Sequence, residues 1–137
     1  MTVRSAGSLV LEPDSQQLAD AGSKPPFPSE LGLEKARKVL DDIQAQPIDK
    51  LPVDSEWITV PAQVGDVQVR IGGPKNAPLP VVLRMHGGGW IPGNAGTHDR
   101  LVREPANGVQ AAIVFVEYDR SPEAHYPWAS VPFQAGR

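Results

Sequence analysis

Two near-continuous apolar runs with a helical segment between them constrain this chain more than any other feature. The runs are VVLRM at residues 81–85 and AAIVFV at residues 111–116. Runs without polar alternation are typical of strands that are covered on both faces, as in parallel sheets. The segment between them predicts a helix that Thr97 caps and that turns Leu101 and Val102 inward. Strand, helix and strand form a βαβ unit, so the sequence predicts the α/β class.

Upstream of this unit the pattern changes twice. Residues 56–60 and 67–71 are rich in β-branched side chains, and a Gly-Asp pair lies between them, which predicts an antiparallel pair of strands with one buried face. Before them, apolar residues recur at helical spacing and predict an amphipathic helix over residues 30–45, with Ser29 as its N-cap. The charged residues of this helix are interpreted as a solvated face.

The totals exclude several classes of protein. The 137 residues fit one domain, and a net charge of −3 with scattered Lys and Arg argues against a nucleic-acid partner. The chain has no Cys, and its three His have no carboxylates at ligand spacing, so neither a metal site nor a cofactor is predicted. No apolar run approaches the ~20 residues of a membrane span. The N-terminus lacks the apolar stretch of a signal peptide, and a cytoplasmic protein is expected.

The stretch MHGGGWIPGNAG, residues 85–96, places five glycines directly after the first apolar run. A dinucleotide-binding loop would need glycine where Pro92 stands, and a P-loop would need lysine where Asn94 stands. A third interpretation is an oxyanion hole, in which fixed backbone N–H groups stabilise the negative charge that develops during acyl transfer. Consecutive glycines favour this interpretation over a plain tight turn, because no side chain keeps the substrate from the amides.

A second motif makes the interpretation more specific. The stretch VVLRMHGGGW, followed by a helix and by AAIVFVEYDRSPEAHYPWA, resembles the hormone-sensitive-lipase-like esterase branch of the α/β-hydrolases. The resemblance extends from about residue 56 to residue 129. The residues that match the family's second motif in order and spacing are Tyr118, Pro122, Glu123, Tyr126 and Pro127.

The resemblance implies both a fold and a substrate class. The expected fold is the N-terminal part of an α/β-hydrolase sheet, with an antiparallel strand pair followed by the βαβ unit, and a cap-like helix before it. Residues 1–50 would then form an N-terminal arm with this cap-like helix, and residues 51–137 an incomplete α/β-hydrolase core. The implied substrate is a small-molecule carboxylic ester.

The resemblance also assigns roles to residues of the glycine stretch. The three consecutive glycines would form the oxyanion hole, and His86 and Glu123 would brace the surrounding loops without taking part in the chemistry. Trp90 would border the substrate pocket, although a plain core aromatic explains it equally well. The three glycines are Gly87, Gly88 and Gly89.

The nucleophile of such an esterase is not found. In this fold it lies on a G-x-S-x-G elbow after the next strand, and no such pentapeptide occurs in residues 1–137. The acid and the His of the triad follow still later in the family, so His98 and His125 are not assigned to them. We therefore expect no catalytic residue in this chain, which would be truncated before the nucleophile and inactive by itself. The alternative is a non-catalytic binding module, or an inactive fragment, that retains half of the fold.

Truncation would also leave a sheet edge open. The elbow strand would pair with residues 81–85, so without it this strand is expected at an edge that invites self-association. Val114 and Val116 on the neighbouring strand are expected to be partly bare. Arg84 places a charge inside a strand that should be buried, which is costly unless the charge is paired.

Overall fold

A computed structural model describes residues 10–62, 65–74 and 79–125 of the chain. Its elements follow the predicted order, with helical segments first, then three strands, a helix and a fourth strand. The elements are α1 (Pro13–Gly22), a 3₁₀ turn (Pro28–Glu30), α2 (Leu33–Gln44), β1 (Asp54–Ala62), β2 (Gly65–Gly73), β3 (Val81–Met85), α3 (Asp99–Gly108) and β4 (Ala112–Glu117).

The four strands form one sheet in the order β1-β2-β4-β3. β1 and β2 pair antiparallel, as do β2 and β4, whereas β3 and β4 run parallel and are joined through α3. The predicted antiparallel pair and the βαβ unit are both confirmed, and the α/β class with them. Among the described strands β3 has one neighbour, so it lies at the edge of the sheet, as expected.

The core lies mainly between the sheet and α3. Ile113 and Phe115 of β4 are fully buried together with Val102 and Ala106 of α3. Full burial of a large apolar side chain stabilises the fold by about 1.5–3 kcal/mol. The opposite face of the sheet carries a second cluster, whose buried members are Val67, Val69, Val116 and Tyr118.

The predicted start of α2 is wrong by a few residues. Ser29 lies inside the 3₁₀ turn, where the Glu30 carboxylate accepts a hydrogen bond from the backbone N–H of Phe27 at 2.9 Å. The helix begins at Leu33, and its N-cap is Gly32 with φ +75°. A side chain at this φ is strained, and this explains a glycine there in place of a polar cap.

The predicted cap and inner face of α3 are also partly wrong. The Thr97 hydroxyl accepts a hydrogen bond from the N–H of Asn94, and the N–H of Thr97 donates to the Asn94 side chain, both at 2.9 Å. These bonds close a turn before the helix, which then begins at Asp99. Val102 faces the core as predicted, but Leu101 is 50% exposed, because it lies beside the helix face that contacts the sheet.

The prediction that both faces of β3 are covered is wrong. Val81, Leu83 and Met85 are 68%, 53% and 46% exposed, because α3 packs against β2 and β4 and leaves this edge strand bare. Arg84 is partly buried, and its Nε has no hydrogen-bond partner among the described residues. Of the two β4 side chains expected to be partly bare, Val114 is half-buried, whereas Val116 is only 5% exposed.

Candidate oxyanion site

The residues that follow β3 form a loop with an unusual backbone, the glycine loop (residues 86–93). Gly88, Gly89 and Gly93 have φ of +119°, +61° and +105°, and Trp90 has φ +62°. A non-glycine residue with positive φ is uncommon and marks a strained position. The N–H of Ile91 donates to the carbonyl of Gly88 at 3.1 Å, which closes a turn over residues 88–91.

Two of these glycines are required by space as well as by φ. A Cβ on Gly88 would lie 2.2 Å from the carbonyl oxygen of Pro92. A Cβ on Gly93 would lie 2.5 Å from Nδ1 of His86. Real Cβ contacts under 3.0 Å are essentially unknown, so both positions need the absence of a side chain. Gly87, by contrast, has open space around its Cα.

The first three carbonyls of the glycine loop all accept hydrogen bonds. The hydroxyl of Tyr118 donates to the carbonyl of His86 at 2.8 Å. The Nδ1 of His86 lies 2.8 Å from the carbonyl oxygen of Gly87, and because a carbonyl oxygen only accepts, the proton of this hydrogen bond is assigned to Nδ1. The third carbonyl, that of Gly88, accepts from Ile91. Three consecutive peptide groups are thus fixed in orientation by their oxygens.

The N–H groups of the same three peptides belong to Gly87, Gly88 and Gly89. In a trans peptide the N–H points away from the C=O, so each fixed carbonyl also fixes the direction of one amide. None of the hydrogen bonds among the described residues uses these three N–H groups. The loop therefore presents three oriented donors, all of them free within the described part of the chain.

The far end of the glycine loop is held by the chain that follows β4, the brace segment (residues 118–123). The N–H of Ser121 donates to the carbonyl of Trp90 at 2.7 Å, and the Arg120 guanidinium donates to the carbonyl of Gly93 at 2.9 Å. Trp90 itself is 56% exposed among the described residues.

Arg37 of α2 joins both segments. Its guanidinium donates to the carbonyl of Ile91 at 2.9 Å and to the carbonyl of Ser121 at 2.9 Å. It also forms a two-pronged pair with the Glu123 carboxylate, with both N–H···O distances at 2.8 Å. The hydrogen bonds from Arg37 lower the pKa of Glu123 to about 2, so this carboxylate is ionised at all ordinary pH values. The solvated-face interpretation of the α2 charges is wrong for Arg37.

His86 is buried in a stack of rings beneath the glycine loop. Its ring lies 4.2 Å from the Tyr118 ring at an interplanar angle of 10°, and 5.7 Å from the Phe115 ring at 9°. The His98 ring is 5.2 Å away and tilted. Burial lowers the pKa of His98, and the neighbouring positive groups lower it further, against a hydrogen bond to the Asn94 carbonyl that raises it.

A cleft of about 650 Å³ opens between α2, the glycine loop and the start of α3. Its volume is within the range of small-molecule sites. Two of the three predicted oxyanion glycines reach its wall. The lining residues include Leu40 and Gln44 of α2, Gly87 and Gly88 of the loop, and His98 and Leu101.

A charged cluster fixes α3 beside this cleft. Asp99 is 7% exposed and lies 2.7 Å from Arg70 of β2, 2.8 Å from Arg103 and 3.0 Å from Lys50. Burial opposes ionisation of Asp99, but the hydrogen bonds from Arg103, Lys50 and Arg70 outweigh it and lower its pKa to about 2. The start of α3, which forms one wall of the cleft, is therefore tied to the sheet by ion pairs.

Sequence reasoning placed His86 and Glu123 in the loop region but missed Arg37 and Arg120. No spacing signal identifies an arginine whose partners are backbone carbonyls far away in the sequence. Tyr126 and Pro127, which belong to the second motif, lie outside the described residues. Within the described ranges, no group of side chains could hold a metal ion, and no helix is long and apolar enough to cross a membrane.

Comparisons with known proteins agree with this architecture. A family described as "alpha/beta hydrolase fold" matches residues 82–131. The chain is 40% identical over 103 residues to esterase LipI of Mycobacterium tuberculosis, across 72% of this chain and 32% of the relative. It is 32% identical over 106 residues to an acetyl esterase of Salmonella schwarzengrund, across 77% of this chain and 33% of the relative.

The fold comparison gives the same answer. A thermostable esterase from Pseudomonas putida ECU1011 superposes with a TM-score of 0.78 at 35% identity, over 90% of this chain and 40% of that one. The chain thus spans about a third of the length of these two curated relatives and 40% of this solved structure. Its sheet order, its glycine loop and these likenesses agree: the chain belongs to the α/β-hydrolase fold-3 esterase family and corresponds to part of the length of its members.

Proposed function

We propose that this chain supplies the oxyanion-binding part of a serine-type carboxylic ester hydrolase. The observation that carries the proposal is the set of oriented N–H groups of Gly87, Gly88 and Gly89, which no hydrogen bond among the described residues uses. The loop that carries them lines the cleft through Gly87 and Gly88. Donors fixed in advance are what an enzyme needs to stabilise charge that appears only in the transition state. The names of the relatives, which are esterases, support an ester substrate.

The proposed reaction divides the work between this chain and residues beyond it. A serine Oγ attacks the ester carbonyl carbon while a histidine accepts its proton, and the carbonyl oxygen becomes an oxyanion. The Gly88 and Gly89 amides donate to this oxygen. Collapse of the intermediate breaks the C–O bond, and the histidine gives its proton to the leaving oxygen, so that the alcohol is released. Water, deprotonated by the same histidine, then attacks the acyl-enzyme, and the proton returns to the serine Oγ as the carboxylic acid leaves. Because residues 1–137 contain no G-x-S-x-G elbow, the nucleophile comes from outside them.

The remaining predicted residues take supporting roles in this proposal. His86 and Glu123 brace the glycine loop and the brace segment, and Trp90 borders the substrate at the rim. Residues 1–50 act as an arm with a cap-like helix, since α2 forms one wall of the cleft through Leu40 and Gln44. Residues 51–137 form the incomplete hydrolase core.

A chimera tests the proposal. The matched segment of the Salmonella acetyl esterase is replaced by this chain, and hydrolysis of p-nitrophenyl acetate is measured. We expect turnover, and we expect Gly88→Val to lower kcat by about two to three powers of ten, the scale of losing one oxyanion donor. The control is Gly22→Ala in α1, where a Cβ meets nothing within 4 Å.

Two results would count against the assignment. An active chimera whose Gly88→Val variant keeps the parental kcat would show that the loop does not bind the oxyanion. A folded chimera without turnover would favour the alternative, a non-catalytic module that retains this part of the fold.

A further inference from the structure

We propose that Arg37 is a positioning residue for the Gly89 amide, and that through it α2 controls the geometry of the oxyanion hole. The expected effect of Arg37 on catalysis rests on the proposed function. Its effect on the position of the Gly89 amide is argued from the observed hydrogen bonds alone. Arg37 lies on α2, outside both sequence motifs. It is not among the described residues that line the cleft, and its hydrogen bonds go to Ile91, Ser121 and Glu123 and not to the three glycines.

Four of the five N–H donors of the Arg37 guanidinium form hydrogen bonds with described residues. Nε donates to the carbonyl of Ile91, one terminal nitrogen to Glu123, and the other to Glu123 and to the carbonyl of Ser121, at 2.8–2.9 Å. The side chain is 16% exposed. The planar fork of arginine suits a site that needs donors in several fixed directions, which the single ammonium of lysine does not provide.

The path from Arg37 to the oxyanion hole is short. Arg37 holds the carbonyl of Ile91, and the N–H of Ile91 holds the carbonyl of Gly88 at 3.1 Å. That carbonyl belongs to the same peptide group as the N–H of Gly89, so the two move together. Arg37 also holds the carbonyl of Ser121, whose N–H donates to the carbonyl of Trp90, and that carbonyl shares a peptide group with the N–H of Ile91. Loss of Arg37 therefore loosens Ile91 from both sides and weakens the hold on the Gly89 amide.

The Gly87 and Gly88 amides depend on other contacts. Their peptide groups are held through the carbonyls of His86 and Gly87, which accept from Tyr118 and from the His86 ring. Neither contact involves α2. Arg37 is thus expected to affect one donor of the three, and this selectivity separates a positioning role from a general loss of stability.

A second contact ties the same face of α2 to the loop region. The side-chain amide of Asn94 donates to Asp41 at 3.0 Å, and Asp41 lies one turn after Arg37. Leu40 and Gln44 of this face line the cleft. The wall of the cleft and the orientation of the Gly89 donor are therefore set by one helix, so that a shift of α2 changes both.

The structural arm of the test uses the 137-residue chain labelled with ¹⁵N at glycine and isoleucine. In Arg37→Ala we expect the Ile91 amide to exchange at least about tenfold faster, because its hydrogen bond to Gly88 is loosened. The Gly89 resonance should shift, and the Gly87 resonance should not. Arg37→Lys should restore part of the protection. The control is Lys38→Ala, since Lys38 is 70% exposed and pairs with Asp42 on its own helix.

The catalytic arm uses the chimera with p-nitrophenyl acetate. Arg37→Ala should lower kcat by about tenfold to a hundredfold with KM changed less than about threefold, as expected when a transition-state contact is weakened. Lys38→Ala should match the parent. Unchanged Ile91 exchange in Arg37→Ala, or equal shifts at Gly87 and Gly89, would overturn the inference. If the chimera has no turnover while Ile91 exchange rises selectively, the proposed function fails and the positioning role of Arg37 stands.

Discussion

The conformation of Gly88 offers the sharpest test of the glycine loop. We consider Gly88→Ala, which adds one methyl group, and compare it with Gly87→Ala next to it. A Cβ on Gly87 meets nothing within 4 Å, whereas a Cβ on Gly88 lies 2.2 Å from the Pro92 carbonyl oxygen at φ +119°. The two variants have the same composition and differ only in where the methyl group lies.

The cost of the Gly88 methyl group follows from what holds Pro92. The carbonyls on either side, those of Ile91 and Gly93, accept from Arg37 and Arg120. Pro92 therefore cannot retreat without loosening a hydrogen bond to a charged group, worth about 1.5–3 kcal/mol. Backbone strain at a φ that L residues rarely adopt adds about 1–3 kcal/mol. The free energy of unfolding should fall by roughly 2.5–6 kcal/mol, the sum of these two ranges.

The assay is urea unfolding of the 137-residue chain followed by circular dichroism, at a concentration where the chain is monomeric. Gly87→Ala should stay within about 0.5 kcal/mol of the parent, as substitutions at open surface positions usually do. Equal free energies of unfolding for the two variants would refute the reasoning, because the loop would then not have the close approach between Gly88 and Pro92.

Three further outcomes are expected. The 137-residue chain alone should show no burst and no turnover on p-nitrophenyl esters, and a fluorophosphonate adduct on any of its serines would contradict this. Asp99→Asn should lower the free energy of unfolding at pH 7 by about 3 kcal/mol, since it removes the buried carboxylate that pairs with the partly buried Arg70 and Arg103. The pKa of Asp99 is about 2 in the folded chain against 3.8 ordinarily. Its contribution to the free energy of unfolding is therefore complete above about pH 4 and is lost as the pH falls through 2. Unfolding measured between pH 5 and 2 checks this, and an equally steep loss of stability in Asp99→Asn would count against it. The chain should self-associate through β3 and bind a hydrophobic dye, and Leu83→Lys should weaken both effects. If analytical ultracentrifugation shows a monomer and the chain binds no dye, residues 1–137 are a self-sufficient domain.

The sequence by itself determined the order of elements and the pairing of strands. Alternation in residues 67–71 and unbroken apolar runs at 81–85 and 111–116 are local patterns, and the period of side chains along a strand decides which faces are buried. The HGGG stretch likewise needed no structure to be noticed, because glycines in succession are costly to order and so mark a backbone requirement. The order of the elements and the strand pairing are thus confirmed, whereas the coverage of β3, which the same local pattern predicted, is not.

Only the tertiary structure decided how the glycine loop is held. Arg37 and Glu123 are 86 residues apart in sequence, and an arginine on an amphipathic helix gives no local sign that its partners are carbonyls in a distant loop. The apolar character of Leu101 and of the β3 side chains predicts that they are buried, but they are largely exposed. Burial of a side chain depends on which element packs against it, and this is decided only when the sheet and α3 assemble. Hydrogen bonds to backbone oxygens leave no residue pattern behind, so the orientation of the free amides at Gly87–Gly89 was visible only once the chain was folded.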